Sequence, residues 1–305
     1  MEISALSVLL VWSSATALVI ALIAFAVDLA QRADPRGGQR VNPAATAVTM
    51  PRRAAGIAMA TTWLATGLLV VAIVLRGMAA GRTPWANMYE FTLVGTCAAL
   101  LAFLVLNARR DLRFAGTFVT GVAALFLVLA LNAFYTPATG LFPALQSYWL
   151  VIHVGVAIGA TGIFTVSAIL SALQLLRDHR DEGGVVLGRR WWRWLDVMPE
   201  PAALESTSFR LNAVGFVAWT FTLIGGAIWA ESAWGRYWGW DPKEVWTFII
   251  WIVYAAYLHA RTTRGWTGRR AAYLVLVGYS CVLFNFTVVN LLINGKHSYS
   301  GLTAG

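Results

Sequence analysis

Eight apolar stretches, at about residues 5–27, 57–75, 89–107, 114–132, 148–176, 211–230, 245–260 and 271–293, leave this chain few ways to fold. A helix that crosses a bilayer needs roughly 20 apolar residues at about 1.5 Å rise each. Backbone groups in hydrocarbon must be paired within their own segment, so runs of this length between polar loops specify helices rather than barrel strands. The seventh run is short and draws on its flanks. The expected fold is all-α: a polytopic membrane protein with about eight transmembrane helices and one membrane domain spanning 1–305. With 59% hydrophobic and 12% charged residues, the chain lies outside the soluble globular class.

The net charge of +9 raises nucleic acid as a partner, but the basic residues sit between the apolar runs and not on an amphipathic face. No nucleic acid is expected. Loops after runs 1, 3, 5 and 7 hold 18 of the 23 Lys and Arg residues, whereas Arg76, Arg82, Arg236, Lys243 and Lys296 are the whole of the other set. By the positive-inside rule both termini then face outward, together with the loop between runs 6 and 7. The first run lacks a basic leader segment and exceeds the apolar core of a secretory signal, so it reads as a retained anchor. Cys97 and Cys281 fall within runs and have no CxxC spacing, which suits small buried apolar side chains better than a metal or dithiol site.

The outer loop at 231–246 contains Trp234, Arg236, Tyr237, Trp238, Trp240, Asp241, Lys243, Glu244 and Trp246. Two readings are open: an aromatic belt at the membrane boundary, or a platform for a flat, mostly apolar ligand with charged edges, such as a porphyrin. Asp241 before Pro242, with Glu244 following, also carries a helix-start signature. A second group, Trp191-Trp192-Arg193-Trp194, lies beside Arg189 and Arg190 on the inner side and reads as an interfacial anchor. The uncharged connection at 133–147 either lies on the membrane or covers the Trp-rich loop.

Only four histidines occur. His153 lies about one turn inside the outer end of run 5, where a polar side chain marks a functional site or a helix-to-helix hydrogen bond. His297 follows run 8 on the same side, as a ligand or an ordinary loop residue. An axial pair from these two, with haem against Trp234, Trp238, Trp240 and Trp246, is permitted. His259 ends run 7 roughly 20 Å from Trp246 at helical rise, so it either serves a second haem or caps a helix. His179 belongs to a solvated charge run. Glu90, at the start of run 3, is favoured by the helix N-terminus, orients a ligand, or pairs with Arg82 or Arg236. Arg236, Lys243 and Arg82 are the candidates for meeting propionates.

These residues resemble the CcsA/ResC-type membrane proteins of the system II cytochrome c maturation pathway. The likeness is carried by the Trp234–Trp246 segment, the flanking His153 and His297, Asn87-Met88-Tyr89-Glu90, and His259, so that 84–299 reads as a haem-handling region. The resemblance implies a cytochrome c haem-lyase or synthase component in the cell membrane or an equivalent energy-transducing membrane. Haem b would be held outside and presented to the CxxCH motif of an apocytochrome c, with thioethers formed from the substrate's own thiols. It further implies His153 and His297 as axial ligands, Asp241 among the catalytic residues, and Glu90 with the loop residues as haem contacts. His259 would ligate a second haem whose other ligand comes from a ResB-type membrane subunit. A haem transporter without synthase activity and a b-type electron-transfer subunit are the competing expectations, and a polytopic transporter without haem is the plainest.

Overall fold

A computed structural model describes residues 2–34, 52–140, 147–183 and 188–297. Among these residues no strand occurs. Eight long helices carry the fold: α1 (Ile3–Ala33), α2 (Arg53–Ala80), α3 (Met88–Arg109), α4 (Gly116–Ala133), α5 (Tyr148–Asp181), α6 (Pro201–Trp234), α7 (Pro242–Thr263) and α8 (Arg269–Phe286). A short α9 (Val288–Leu292) continues α8 after a break at Thr287, whose ψ of −71 departs from helical geometry. The eighth apolar run, expected as one helix, is thus divided. His179, expected in a loop, instead lies in the last turn of α5, with ring Nδ1 2.7 Å from Leu175 O.

Seven of the described helices are long and apolar enough to cross a membrane, making this a multi-pass membrane protein. The exception is α7, in which Trp246, Trp251, Tyr254, Tyr257 and His259 displace aliphatic residues. Its 22 residues still extend about 33 Å at helical rise, and it packs between α6 and α8. Local signals explain several starts. Asn87 Oδ1 accepts from Glu90 N at 2.9 Å, Ser147 Oγ accepts from Trp149 N at 3.2 Å, and Pro occupies the first position of α6 and α7.

The central helix is α5. Val166, Leu170 and Leu173 face a core built with α1 to α4, whereas Ala160 and Phe164 face a second core with Trp219, Ile250, Tyr254 and Val275 from α6, α7 and α8. Phe164 and Tyr254 stack with centroids 3.9 Å apart. Gly162 permits the close approach of α3, since a Cβ there would lie 2.8 Å from Ala98 Cβ. At 34 residues α5 is about 51 Å long, well beyond the roughly 30 Å hydrocarbon thickness. Its basic end therefore projects past the bundle and supports a 3₁₀ helix at Arg190–Val197.

At the other end, the fully buried Glu90 holds the first half of the protein together. Its carboxylate accepts from Arg76 Nε at 2.9 Å, from Arg82 Nη1 at 2.6 Å and from Ala86 N at 3.0 Å. Arg76, only 2% exposed, also donates to Thr136 O and Pro137 O, and Arg82 donates to Thr139 O. Three segments distant in sequence are thereby joined through one carboxylate.

Candidate functional site

An open cavity lies at the Glu90 end of the bundle, between α3, α5, α6, α7 and α8. His153 and His297 both face it, together with Trp85, Trp229, Trp238, Lys243 and Glu244. The wall is mostly apolar with a few polar groups, as expected of a small-molecule site.

His153 reaches across from α5 to α6, with Nδ1 2.8 Å from the carbonyl oxygen of Thr222. A carbonyl only accepts, so Nδ1 carries the proton and Nε2 keeps its lone pair for the cavity. The ring fits because residue 226 is glycine: a Cβ there would lie 2.7 Å from His153 Cε1. His297 reaches the same state from another direction. It lies in the segment after α9, with Nδ1 3.3 Å from Asp241 Oδ1, while Lys296 N donates to Asp241 Oδ2 at 3.1 Å. Burial pushes the Asp241 carboxyl up, but the His297 ring and the N–H groups of Lys296 and His297 outweigh it and leave it below its ordinary value. Asp241 accepts from Nδ1 of His297, so Nε2 is the ring nitrogen outside this contact. A hydrogen-bonded carboxylate or carbonyl behind the ring is the usual way in which a metal-binding imidazole is oriented.

Trp229 neighbours both imidazoles. Its ring stacks on His153 at 6.4 Å and 9°, and lies 5.7 Å from His297. It is 1% exposed, and its Nε1 has no hydrogen-bond partner among the described residues. The sequence reading passed over Trp229, since one more tryptophan within an apolar run looks like belt. Its spacing of five residues from Trp234 was the available signal.

The four loop tryptophans separate by position. Trp234 meets His297 edge-on at 4.8 Å, and Trp238 lines the cavity. Trp246 packs on Phe284 at 4.2 Å, away from the cavity wall. Trp240 is 76% exposed and has φ of +58, a backbone region that bulky side chains rarely enter. Glu244 Oε2 straddles it, accepting from Gly239 N at 2.7 Å and Asp241 N at 3.1 Å. Asp241 thus combines its place at the start of α7 with a hold on His297.

The expected cations also differ. Lys243 lines the cavity, and its Nζ donates to Asn285 O at 2.9 Å and Asn290 Oδ1 at 3.0 Å, with no ion pair among the described residues. The Arg236 side chain lies over Gly239 and its Nε is without a partner, whereas Arg82 is committed to Glu90. Glu90 itself faces Arg76 and Arg82 and is absent from the cavity wall. His259 is exposed near the far end of α7 and does not join the cluster. Cys97 and Cys281 are free thiols within α3 and α8.

Residues 85–297 match the family described as cytochrome C assembly protein. The chain is 34% identical over 260 residues to cytochrome c biogenesis protein CcsA of Guillardia theta, covering 81% of this chain and 86% of that protein. It is 36% identical over 251 residues to CcsA of Synechococcus sp. (strain CC9902), covering 76% and 83%. In three dimensions it resembles the cytochrome c haem lyase CcmF with a TM-score of 0.65 at 18% identity, over 94% of this chain and 47% of that one, a likeness of fold. With most of its length matched in this way, the chain belongs to the cytochrome c assembly protein family, in the company of the CcsA proteins of cytochrome c biogenesis.

Proposed function

We propose that this protein holds haem b in the cavity between His153 and His297 and presents it for attachment to the CxxCH motif of an apocytochrome c. The observation that carries this reading is the pair of imidazoles lining one mostly apolar cavity, each with Nδ1 held by an oxygen, Thr222 O for His153 and Asp241 Oδ1 for His297. The haem supplies vinyl carbons across which two substrate thiols add, each addition forming one carbon–sulfur bond and moving the thiol proton to the neighbouring carbon. The chain contributes position. His153 and His297 would hold the metal, Trp238 would wall the cavity and exclude water, Trp229 would back the imidazoles, and Asp241 and Thr222 would keep them aimed. Neither Cys97 nor Cys281 lines the cavity, in keeping with thiols that belong to the substrate.

In this reading the Trp-rich loop faces the outside of the cell membrane or of an equivalent energy-transducing membrane, and both termini share that side, as the charge bias of the loops supports. The exposed His259 ring, with no hydrogen-bond partner among the described residues, is assigned to a second haem completed by a ResB-type subunit. The decisive experiment is co-expression with such a subunit and a CxxCH reporter, in cells lacking their own maturation system. Covalent haem on the reporter is the expected result, and its absence would overturn the synthase assignment.

Two substitutions probe the cavity. Gly226→Ala adds a methyl where His153 Cε1 stands, so haem recovered with the purified protein is expected to fall about tenfold or more, the scale of losing an aligned ligand. Wild-type haem content in that variant would remove His153 from the ligand set. Lys243 places a basic group in the cavity wall with no carboxylate in ion-pair contact among the described residues, an arrangement that favours an anionic ligand. Lys243→Met is expected to leave the melting temperature unchanged or raised, while haem binding weakens about tenfold, as for a lost charged hydrogen bond. With haem dimethyl ester, which lacks the propionate charges, wild type and Lys243→Met should bind alike.

A further inference from the structure

At the end of the bundle opposite the cavity, the 3₁₀ helix Arg190–Val197 is fixed from beneath. Arg177 Nη1 donates to Leu195 O at 2.8 Å, Arg32 Nη2 to Val197 O at 2.9 Å, and Arg180 Nη1 to Arg189 O at 3.1 Å. Leu195 is fully buried, and Trp194 packs on Phe118 of α4 with centroids 5.4 Å apart. The inward arginines also take up Asp196, through Arg180 at 2.8 Å and Arg177 at 3.4 Å. The outward arginines are in a different position. Arg189, Arg190 and Arg193 make no ion pair among the described residues, and Trp191 between them is 74% exposed. A groove on one side of Trp191 is walled by Arg190 and Arg193, floored by Ala30 and Ala33 of α1, and closed by Asp34. Its single carboxylate leaves the site net positive.

A segment held from beneath by arginines, with Arg189 and Arg190 exposed beside an exposed indole and the half-buried Arg193 in the groove wall near Asp196, has the chemistry of a headgroup site. The indole suits the glycerol and upper acyl region, and guanidinium groups suit a phosphodiester. We infer that the outward face of Arg190–Val197 binds the headgroup of an anionic phospholipid, with its phosphate among Arg189, Arg190 and Arg193 and Trp191 set into the adjoining acyl boundary. Charge complementarity commits this surface to a lipid bearing net negative charge, and the helices that cross the membrane bring this face to the headgroup layer. The inference is independent of haem.

The test uses the full-length protein in detergent, titrated with phosphatidylglycerol or phosphatidylcholine of matched acyl chains and read by native mass spectrometry. Wild type is expected to retain phosphatidylglycerol preferentially, and Arg190→Gln to weaken that retention about fivefold, the contribution of one basic residue near a charged membrane surface. The triple variant Arg189→Gln, Arg190→Gln, Arg193→Gln should show no preference while keeping the wild-type melting temperature. Trp191→Ala should weaken both lipids equally. Absence of preference in wild type, or its survival in the triple variant, would overturn the inference. So would displacement of phosphatidylglycerol by an equal concentration of inorganic phosphate, which marks a general anion site.

Discussion

His153→Ala and His297→Ala should each abolish transfer of haem to a CxxCH reporter, a loss of at least about 100-fold, and each should change the absorption spectrum of haem-loaded protein. The magnitude follows from the geometry. Removing a group behind a metal ligand already costs about 10- to 100-fold in affinity or activity, and on the proposed reading these substitutions remove the ligand itself. The two variants should differ in a second respect. His153 is carried on α5 and backed by Thr222 O, so its removal leaves a gap that added imidazole can enter beside Gly226, restoring part of the spectrum. His297 lies outside any helix and, with Lys296 N, contacts Asp241. His297→Ala should therefore also loosen the segment after α9, giving faster amide exchange at Lys296 and weaker rescue by imidazole. Unaltered spectra in both variants would remove the pair from the ligand set.

The second large effect concerns stability. Glu90→Gln leaves Arg76 and Arg82 facing each other without a counterion, with Arg76 only 2% exposed. Removing one partner of a buried pair typically destabilises by about 3–5 kcal/mol, because the remaining charge stays buried. Glu90→Gln is therefore expected to lower the unfolding free energy by about that amount, measured by denaturant titration in detergent. The double variant Glu90→Leu, Arg76→Met should be less harmful than Glu90→Gln, since it removes the more deeply buried of the two stranded charges. Haem retained by whatever protein stays folded should be normal, because the carboxylate is turned away from the cavity. A variant of wild-type stability that fails to keep haem would place Glu90 among the haem contacts.

The bundle was largely legible because apolar runs of spanning length have one physical solution in a membrane. Where the reading was incomplete, the cause lay in tertiary contacts. The break at Thr287 falls between apolar residues on both sides and leaves no mark in hydropathy. Arg76 was counted as a loop charge, yet it closes the ion cluster that Glu90 begins. The two cavity-facing histidines stood out because imidazole is rare in this chain and both fall at one end of their runs. Their supports were hidden: Thr222 contributes only a backbone carbonyl, Gly226 only the absence of a side chain, and Trp229 looked like any interfacial indole. Asn290, a polar residue in the last apolar run, was the clearest unused signal, since its side-chain oxygen accepts from Lys243, whereas Asn285 meets Lys243 only through its backbone carbonyl.

The placement of the two imidazoles also sets an order of events during biosynthesis. His153 enters the membrane with α5, whereas its counterpart cannot reach Asp241 until α6 to α9 have emerged and folded back on α5. Chains fold as they are made, from the N-terminus onward, so a nascent chain carries only half a ligand set through the synthesis of four helices. On the proposed reading, a ribosome-bound intermediate lacks the paired imidazoles until the bundle around them is complete.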